Sequence, residues 1–352
     1  MELYLQMGHG MQSMAEELIG LWGGGNVIIS PVNITQDRVV GFSKKITSIG
    51  GNILFDPQMF YPKEGHVKLR AYDYWPQEDV SISTENATEE INRELLRLNK
   101  EIGSSAIILP GLEMKEDALT YGLELMNRSA AYFSSKSDLP LFATLCLYPE
   151  TIRNTSVIEV LVEKLRTIPV TGFYIIPHPS NNEYIVSDPL WMIGMLKLLS
   201  CLKLFGKKTI VGYTSHQGLV YALANVDGIA SGTYMNTRSF VPAKFKSPKD
   251  DDIKHKSTWF YLPTALCEYK AALLDVAMQR GYLDSFKPQG VFSNEYSAML
   301  FSGAQPTSTN YKETNSFKHY LYCLKLQCDL LTKQTYKDTY DTYEFMLNNA
   351  EN

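Results

Sequence analysis

The sequence has no apolar run approaching the roughly 18 residues that a membrane-crossing helix requires. Its start, MELYLQMGHG, lacks both a basic segment and a signal-like apolar stretch, and reads as mature sequence. Cysteine is scarce. Five cysteines, scattered and odd in number, exclude a disulfide framework and fit a reducing cytoplasm. Basic residues are not in excess. With a formal net charge of −5, nothing global advertises nucleic acid, and an anionic partner would need a local basic patch. No internal repeat, low-complexity tract or Gly/Ser/Pro-rich linker breaks the chain. Several catalytic signatures are also missing. There is no G-x-G-x-x-G behind the first apolar run, no C-x-x-C or H-E-x-x-H, and no G-x-S-x-G elbow. These absences argue against a dinucleotide fold, the common zinc sites and a serine-hydrolase site, and no metal or cofactor is expected.

What is present is a rhythm. The 352 residues, 45% hydrophobic and 20% charged, have ordinary globular composition and suffice for one large domain with an elaboration. Eight short apolar runs end in turn formers: LYLQMGHG, NVIISPVNI, GNILFDPQ, SAIILPG, LFATLCLYP, TGFYIIPHP, KKTIVGYTS and DGIASGTYMN. Helix-like stretches lie between them, among them SMAEELIGLW, DRVVGFSKKITSIG and DPLWMIGMLKLLSCLKLFG, with apolar residues recurring at three and four. Ser13, Asp37 and Ser156 are the expected caps. Continuous rather than alternating apolar strands suit a parallel sheet covered by helices. Eight such units predict an α/β fold, a (β/α)8 TIM-type barrel of about 250 residues. An open doubly wound sheet is the rival. Residues 1–256 make the barrel and its mouth, with long loops after strands 3 and 8. Residues 257–352 form a C-terminal helical extension. There TALCEYKAALLDVAMQRGYL is the helix that closes the eighth unit, and later helices could form an appended layer or a homodimer surface.

In a barrel the chemistry sits at the C-terminal ends of the strands. Those ends offer His9, Asn33, Asp56 with Gln58, Glu113, Tyr148 with Glu150, His178, Tyr213 with Ser215 and His216, and Asn236 with Arg238. Asp56 is the most specific of them. GNILFDPQMFYP is an apolar strand that ends in an acid and meets a proline at once. The acid either caps the turn made with Pro57 and Gln58 or does chemistry. His9 and His178, each single among small or apolar neighbours, read as structural by default. His319, Cys323 and Cys328 share one helical segment, but Cys328 falls round the helix, so packing is the reading there rather than zinc. The loop after strand three carries Lys63, His66, Lys68 and Arg70 among Tyr61, Tyr72, Tyr74 and Trp75. The loop after strand eight carries Lys244, Lys246, Lys249, Lys254 and Lys256. Basic residues interleaved with aromatics suit a polyanion whose bases can stack, and a solvated surface is the plainer alternative.

The order of elements, and an acid at the tip of strand three with Gln58 two residues on, resemble the tRNA-guanine transglycosylase superfamily. That family is a (β/α)8 barrel whose third strand ends in Thr-Asp-Ser-Gly-Gly-Phe-Gln. GNILFDPQMF keeps the acid and has Pro57 in place of Ser-Gly-Gly. VGYTSHQG, residues 211–218, resembles the family's seventh-strand glycine turn. DGIASGTYMNTRSF, residues 227–240, resembles its eighth-strand segment, with Asn236-Thr237-Arg238 for Pro-Thr-Arg. The likeness covers residues 1–240. The family's second aspartate, which attacks the sugar, is replaced by Gly232 beside Ser231, and its zinc cysteines are missing.

The resemblance therefore implies hydrolysis of an N-glycosidic bond rather than base exchange. The chain would be a cytoplasmic DNA glycosylase of bacterial anti-phage defence, flipping out a modified cytosine such as glucosylated hydroxymethylcytosine. An ionised Asp56 would be the catalytic group in a base-sized pocket. Gln58, His9, Asn33, His178, Tyr213, Ser215, His216, Asn236 and Arg238 would surround base and sugar. DNA would lie along Lys63, Lys68, Arg70, Tyr72, Trp75, Lys244, Lys246 and Lys249. Three alternatives stand beside this. One is base exchange on tRNA or DNA. Another is a small-molecule barrel enzyme that holds a phosphorylated substrate at VGYTSHQG and Arg238. The last is a barrel that binds without catalysis.

Overall fold

The computed structural model describes residues 1–76, 85–246, 257–333 and 335–351. Every one of the eight apolar runs forms a strand. They are β1 (Glu2–Gln6), β2 (Gly25–Ile29), β3 (Gly51–Phe55), β4 (Ile107–Leu109), then, after a two-residue β5 (Glu113–Met114), β6 (Leu141–Leu147), β7 (Gly172–Pro177), β8 (Lys208–Val211) and β9 (Gly228–Ser231). The sheet runs β3-β2-β1-β9-β8-β7-β6-β4, with β5 on β6. Its paired registers are parallel. Across the remaining seam, Ser105 N–H donates to Ile53 O at 2.9 Å. The result is a nearly closed TIM-type barrel, the architecture that strand after strand of unbroken apolar sequence predicts.

The helices start earlier than their serine and aspartate signals suggest. Gln12–Trp22 and Gln36–Ser48 already contain Ser13 and Asp37 in their first turns. Thr155–Arg166 contains Ser156, and its cap is Asn154, whose side chain accepts Val157 N–H at 3.3 Å.

The barrel interior is built by the period of two. Tyr4, Ile28, Leu54, Ile108, Phe142, Tyr174, Ile210 and Ala230, one from each barrel strand, meet in one cluster. Two residues further along the same faces stand Gln6, Asp56, Gly212 and Gly232. Above the apolar layer the barrel is thus polar and partly hollowed by glycine.

The chain after β3 folds back over the mouth. Pro62–Glu64 and Val67–Arg70 are short helical turns. Tyr72 Oη donates to Ile34 O at 2.9 Å, and Tyr74 Oη to Pro57 O at 2.8 Å. Gly65 lets this loop close, because a Cβ there would stand 2.1 Å from the Trp75 ring. Gly65 forms a β-bridge with Lys246, and His66 N–H donates to Phe245 O at 3.2 Å. Phe240 and Phe245 stack at 5.1 Å, and Phe60 meets both edge-on at 5.3 and 5.0 Å.

By contacts the chain divides into two units, Leu3–Lys249 and Met1–Glu2 with Asp250–Asn352. In the latter, residues 264–270 depart from the helix expected across TALCEYK. Trp259–Leu262 (β10) and Cys267–Lys270 (β11) pair antiparallel, and the helix begins only at Ala271. Trp-Phe-Tyr-Leu is a strand former, and Pro263 interrupts any helix that would run on from it. Phe260, Leu262, Leu274, Leu300 and Tyr311 make the core of this unit. His319 belongs to it as a structural residue. Its Nε2 donates to Tyr261 O at 2.7 Å, its ring stacks on Phe260 at 5.1 Å, and burial brings its pKa down to about 4. Among the described residues no helix is long and apolar enough to cross a membrane.

Candidate active site

Asp56, one residue past β3, is fully buried. Its two oxygens answer to the two readings of the sequence. Oδ1 accepts Gln58 N–H at 3.0 Å, which is the turn cap. Oδ2 faces the barrel, where Tyr213 Oη donates to it at 3.0 Å and Tyr174 Oη lies at 3.3 Å. Gln58 Nε2 donates to Tyr213 Oη at 2.9 Å and to Ser30 Oγ at 2.6 Å. Both Gln58 and Tyr213 adopt positive φ, +53° and +52°. For residues of this size that conformation costs of order 1–3 kcal/mol and persists only where the surroundings enforce it. Here the strained backbone turns both side chains toward one carboxyl.

Burial pushes the Asp56 carboxyl from 3.8 up to about 7, and the hydrogen bonds from Gln58, Tyr213 and Tyr174 offset only part of that. The permanently ionised Asp56 implied by the resemblance is therefore corrected. Near neutral pH the group titrates.

Tyr174 and Gln6 are site residues that the strand-end reading missed: Tyr174 sits inside β7, and Gln6 ends β1 three residues before the His9 to which the run LYLQMGHG pointed. Tyr174 reaches across the barrel to Gln6 Oε1 at 2.8 Å. Gly212 makes that possible, since a Cβ there would stand 2.6 Å from the Tyr174 hydroxyl. A lone tyrosine within GFYIIP and a glutamine within LYLQM were the available signals.

A second group lies at the ends of β5, β6 and β7. Tyr61 Oη donates to Glu113 Oε1 at 2.6 Å, and His178 Nε2 is 3.3 Å from that oxygen and 3.5 Å from Cys146 Sγ. Burial, with Lys115 and Lys246 nearby, lowers the His178 pKa to about 3. The contact with Glu113 is thus a hydrogen bond from a neutral imidazole. Burial also pushes the Cys146 thiol up, which makes it a poor nucleophile.

The remaining expected residues scatter. Asn33 ties two strand ends, its Nδ2 donating to Met7 O at 3.1 Å and Ser30 Oγ at 3.0 Å. His9 is exposed on its turn and Asn236 is half-buried. Ser215 accepts Gln217 N–H at 3.2 Å, and His216 is buried beside Tyr184. Arg238 is buried, with Nε donating to Gly232 O at 2.9 Å. Lys63, Lys68, Arg70 and Lys244 are exposed, whereas Lys246 pairs with Glu64 and lies over the Tyr61 ring. Lys249, Lys254 and Lys256 lie outside the described residues. Tyr72 and Trp75 are corrected as stacking platforms. They are 2% and 4% exposed and pack the interior of their own loop.

Beside Tyr213 is a narrow cleft of about 30 Å³, lined among others by Tyr184, Trp191, Ser215, Arg238 and Phe240. Among the described residues no three His, Cys, Asp or Glu side chains gather as a metal site.

No protein-family model and no curated protein matches the chain. Among solved structures it is similar to an HpcH/HpaI aldolase/citrate lyase family protein from Burkholderia cenocepacia J2315, at 11% identity and a TM-score of 0.37, over 65% of this chain and 86% of that one. It is also similar to β-methylaspartase from Clostridium tetanomorphum, at 8% identity and a TM-score of 0.42, over 67% of this chain and 54% of that one. Likeness this distant assigns neither chemistry to this chain. The transglycosylase-like expectation is corrected in that no comparison returns that family: no family model or curated protein matches, and the two solved structures carry other names. A DNA glycosylase activity has no support from them.

Proposed function

We propose that the chain is a TIM-barrel enzyme that moves a proton on a small, negatively charged molecule held beside Tyr213. One observation carries this reading: Tyr213 donates its hydroxyl hydrogen to Asp56 while its ring lines the cleft that Ser215 and Arg238 also line. A general acid or base works best with a pKa near the operating pH, and Asp56 is held close to 7. A guanidinium on the cleft wall suits a carboxylate or phosphate, which it can grip through two parallel hydrogen bonds.

The test needs no knowledge of the full reaction. Small carboxylates and phosphate esters are incubated with the protein in deuterated buffer, and loss of exchangeable C–H signals is followed by NMR. Exchange by the parent protein, abolished in both Asp56→Asn and Tyr213→Phe, is the expected result. For a substrate found this way, Arg238→Lys should weaken binding by roughly tenfold, since lysine keeps the charge but not the fork.

The roof of Phe240 and Phe245 over Tyr213 favours a second reading, a barrel that binds without turning over. Binding of a panel member without exchange in any of them would select it.

A further inference from the structure

The polar layer around Asp56 is one hydrogen short. Tyr174 Oη lies 2.8 Å from Gln6 Oε1 and 3.3 Å from Asp56 Oδ2, and both oxygens accept when Asp56 is ionised. The single phenolic hydrogen serves one of them, and the shorter contact gives it to Gln6. Gln6 is fully buried and its Nε2 has no hydrogen-bond partner among the described residues. Gln6 thus offers the layer a carbonyl oxygen and nothing else. Leaving a buried amide nitrogen unpaired is costly, so the orientation calls for a physical reason.

We propose that Gln6 and Tyr174 are a positioning pair for Asp56: Gln6 Oε1 takes the Tyr174 hydroxyl hydrogen, which leaves the carboxyl one donor short and keeps its proton on. With the proton on, Asp56 Oδ2–H donates to Tyr174 Oη, and Tyr174 donates onward to Gln6 Oε1. Each oxygen then has a matching partner. With the proton gone, Oδ2 keeps the donor from Tyr213 and competes with Gln6 for that of Tyr174. The titratable groups that face Asp56 are Tyr213 after β8, Tyr174 on β7, Cys146 on β6 and Tyr74 from the loop after β3. Burial pushes all four up, so each is neutral at pH 7 and none supplies a compensating charge.

The inference deepens the proposed role of Asp56, yet its test uses the resting protein without substrate, so the two can fail separately. The Asp56 carboxyl stretch is titrated by infrared spectroscopy on protein labelled with 13C-aspartate, with Asp56→Asn as the reference. Gln6→Met keeps volume, removes the competing carbonyl and makes the surroundings more apolar. On burial alone it would raise the titration midpoint. The positioning pair requires that it lower the midpoint, by about one pH unit for one freed hydrogen bond. In a Tyr174→Phe background the same Gln6→Met change should no longer lower the midpoint, because the pair acts through the phenol and only the burial effect remains. If Gln6→Met does not fold, Gln6→Leu makes the same comparison. A midpoint unmoved or raised by Gln6→Met in the parent background, or a lowering that persists without the Tyr174 hydroxyl, overturns the proposal.

Discussion

At about pH 8, Asp56→Asn is expected to unfold at a higher urea concentration than the parent protein, and the difference should vanish near pH 4. Asparagine matches the protonated carboxyl in being uncharged, in accepting Gln58 N–H and in donating toward the Tyr174 hydroxyl; it gives up only the acceptor for the Tyr213 hydroxyl. The parent is different because its buried acid is raised from 3.8 to about 7 in the folded state. Between those values the folded parent holds on Asp56 a proton that the unfolded chain has released, so the parent loses stability relative to the variant as pH rises. Above about 7 the loss is complete and levels off. A rise of that size corresponds to about 4 kcal/mol at most. The measurement is a set of urea midpoints from pH 4 to pH 8. A variant less stable than the parent at pH 8 would mean that the ionised carboxyl is well supported where it stands.

Gly232→Ala should be the most damaging single-methyl change in the barrel mouth, with a loss of about 3 kcal/mol or more. Its Cβ would lie 2.3 Å from Gln6 O and 2.5 Å from Thr237 Oγ1. The first of these is backbone on the neighbouring strand, and relief means parting β1 from β9, which pair in the sheet. Gly41→Ala is the control. It sits in the helix Gln36–Ser48 with nothing within 4 Å of the added Cβ. There alanine should stabilise by about 0.5–1 kcal/mol. Urea unfolding of both variants checks the pair, and a Gly232→Ala midpoint equal to that of the parent would sink the argument. For the same steric reason no acid can stand at position 232, so the glycine is a packing requirement.

The barrel was legible because its signal is repeated eight times and is local to each strand. Asp56, Gln58 and Tyr213 were legible because a strand end is a defined place. Tyr174 was not, since a polar residue within an apolar strand reads the same whether it meets a partner across the barrel or not, and Gln6 was not, since the run LYLQMGHG placed the end of β1 at its glycine turn rather than at Gln6. The aromatic loop misled for a related reason. Tyr72, Tyr74 and Trp75 look like a binding platform by composition, and only their hydrogen bonds and burial identify them as the loop's own core. The hairpin of residues 259–270 was hidden by the helix-forming run directly after it. The transglycosylase resemblance rested on an element order that many barrels share and on short segments around Asp56, Gly212 and Arg238, and neither a shared fold nor so short a match carries function.

A ribosome makes this protein from its amino terminus, and the consequence falls on Asp56. The acid emerges with its turn and the loop that carries Gly65, but Tyr213, Phe240 and the Lys246 that bridges to Gly65 are synthesised much later. Until then Asp56 is an ordinary wet carboxylate with its proton lost to solvent. Only when the last strands arrive and the Phe240–Phe245 pair seals the mouth does water leave it. Completing the barrel is therefore a step in which Asp56 draws a proton from the medium, and at pH 6 refolding of the parent chain should take up about one more proton than refolding of Asp56→Asn.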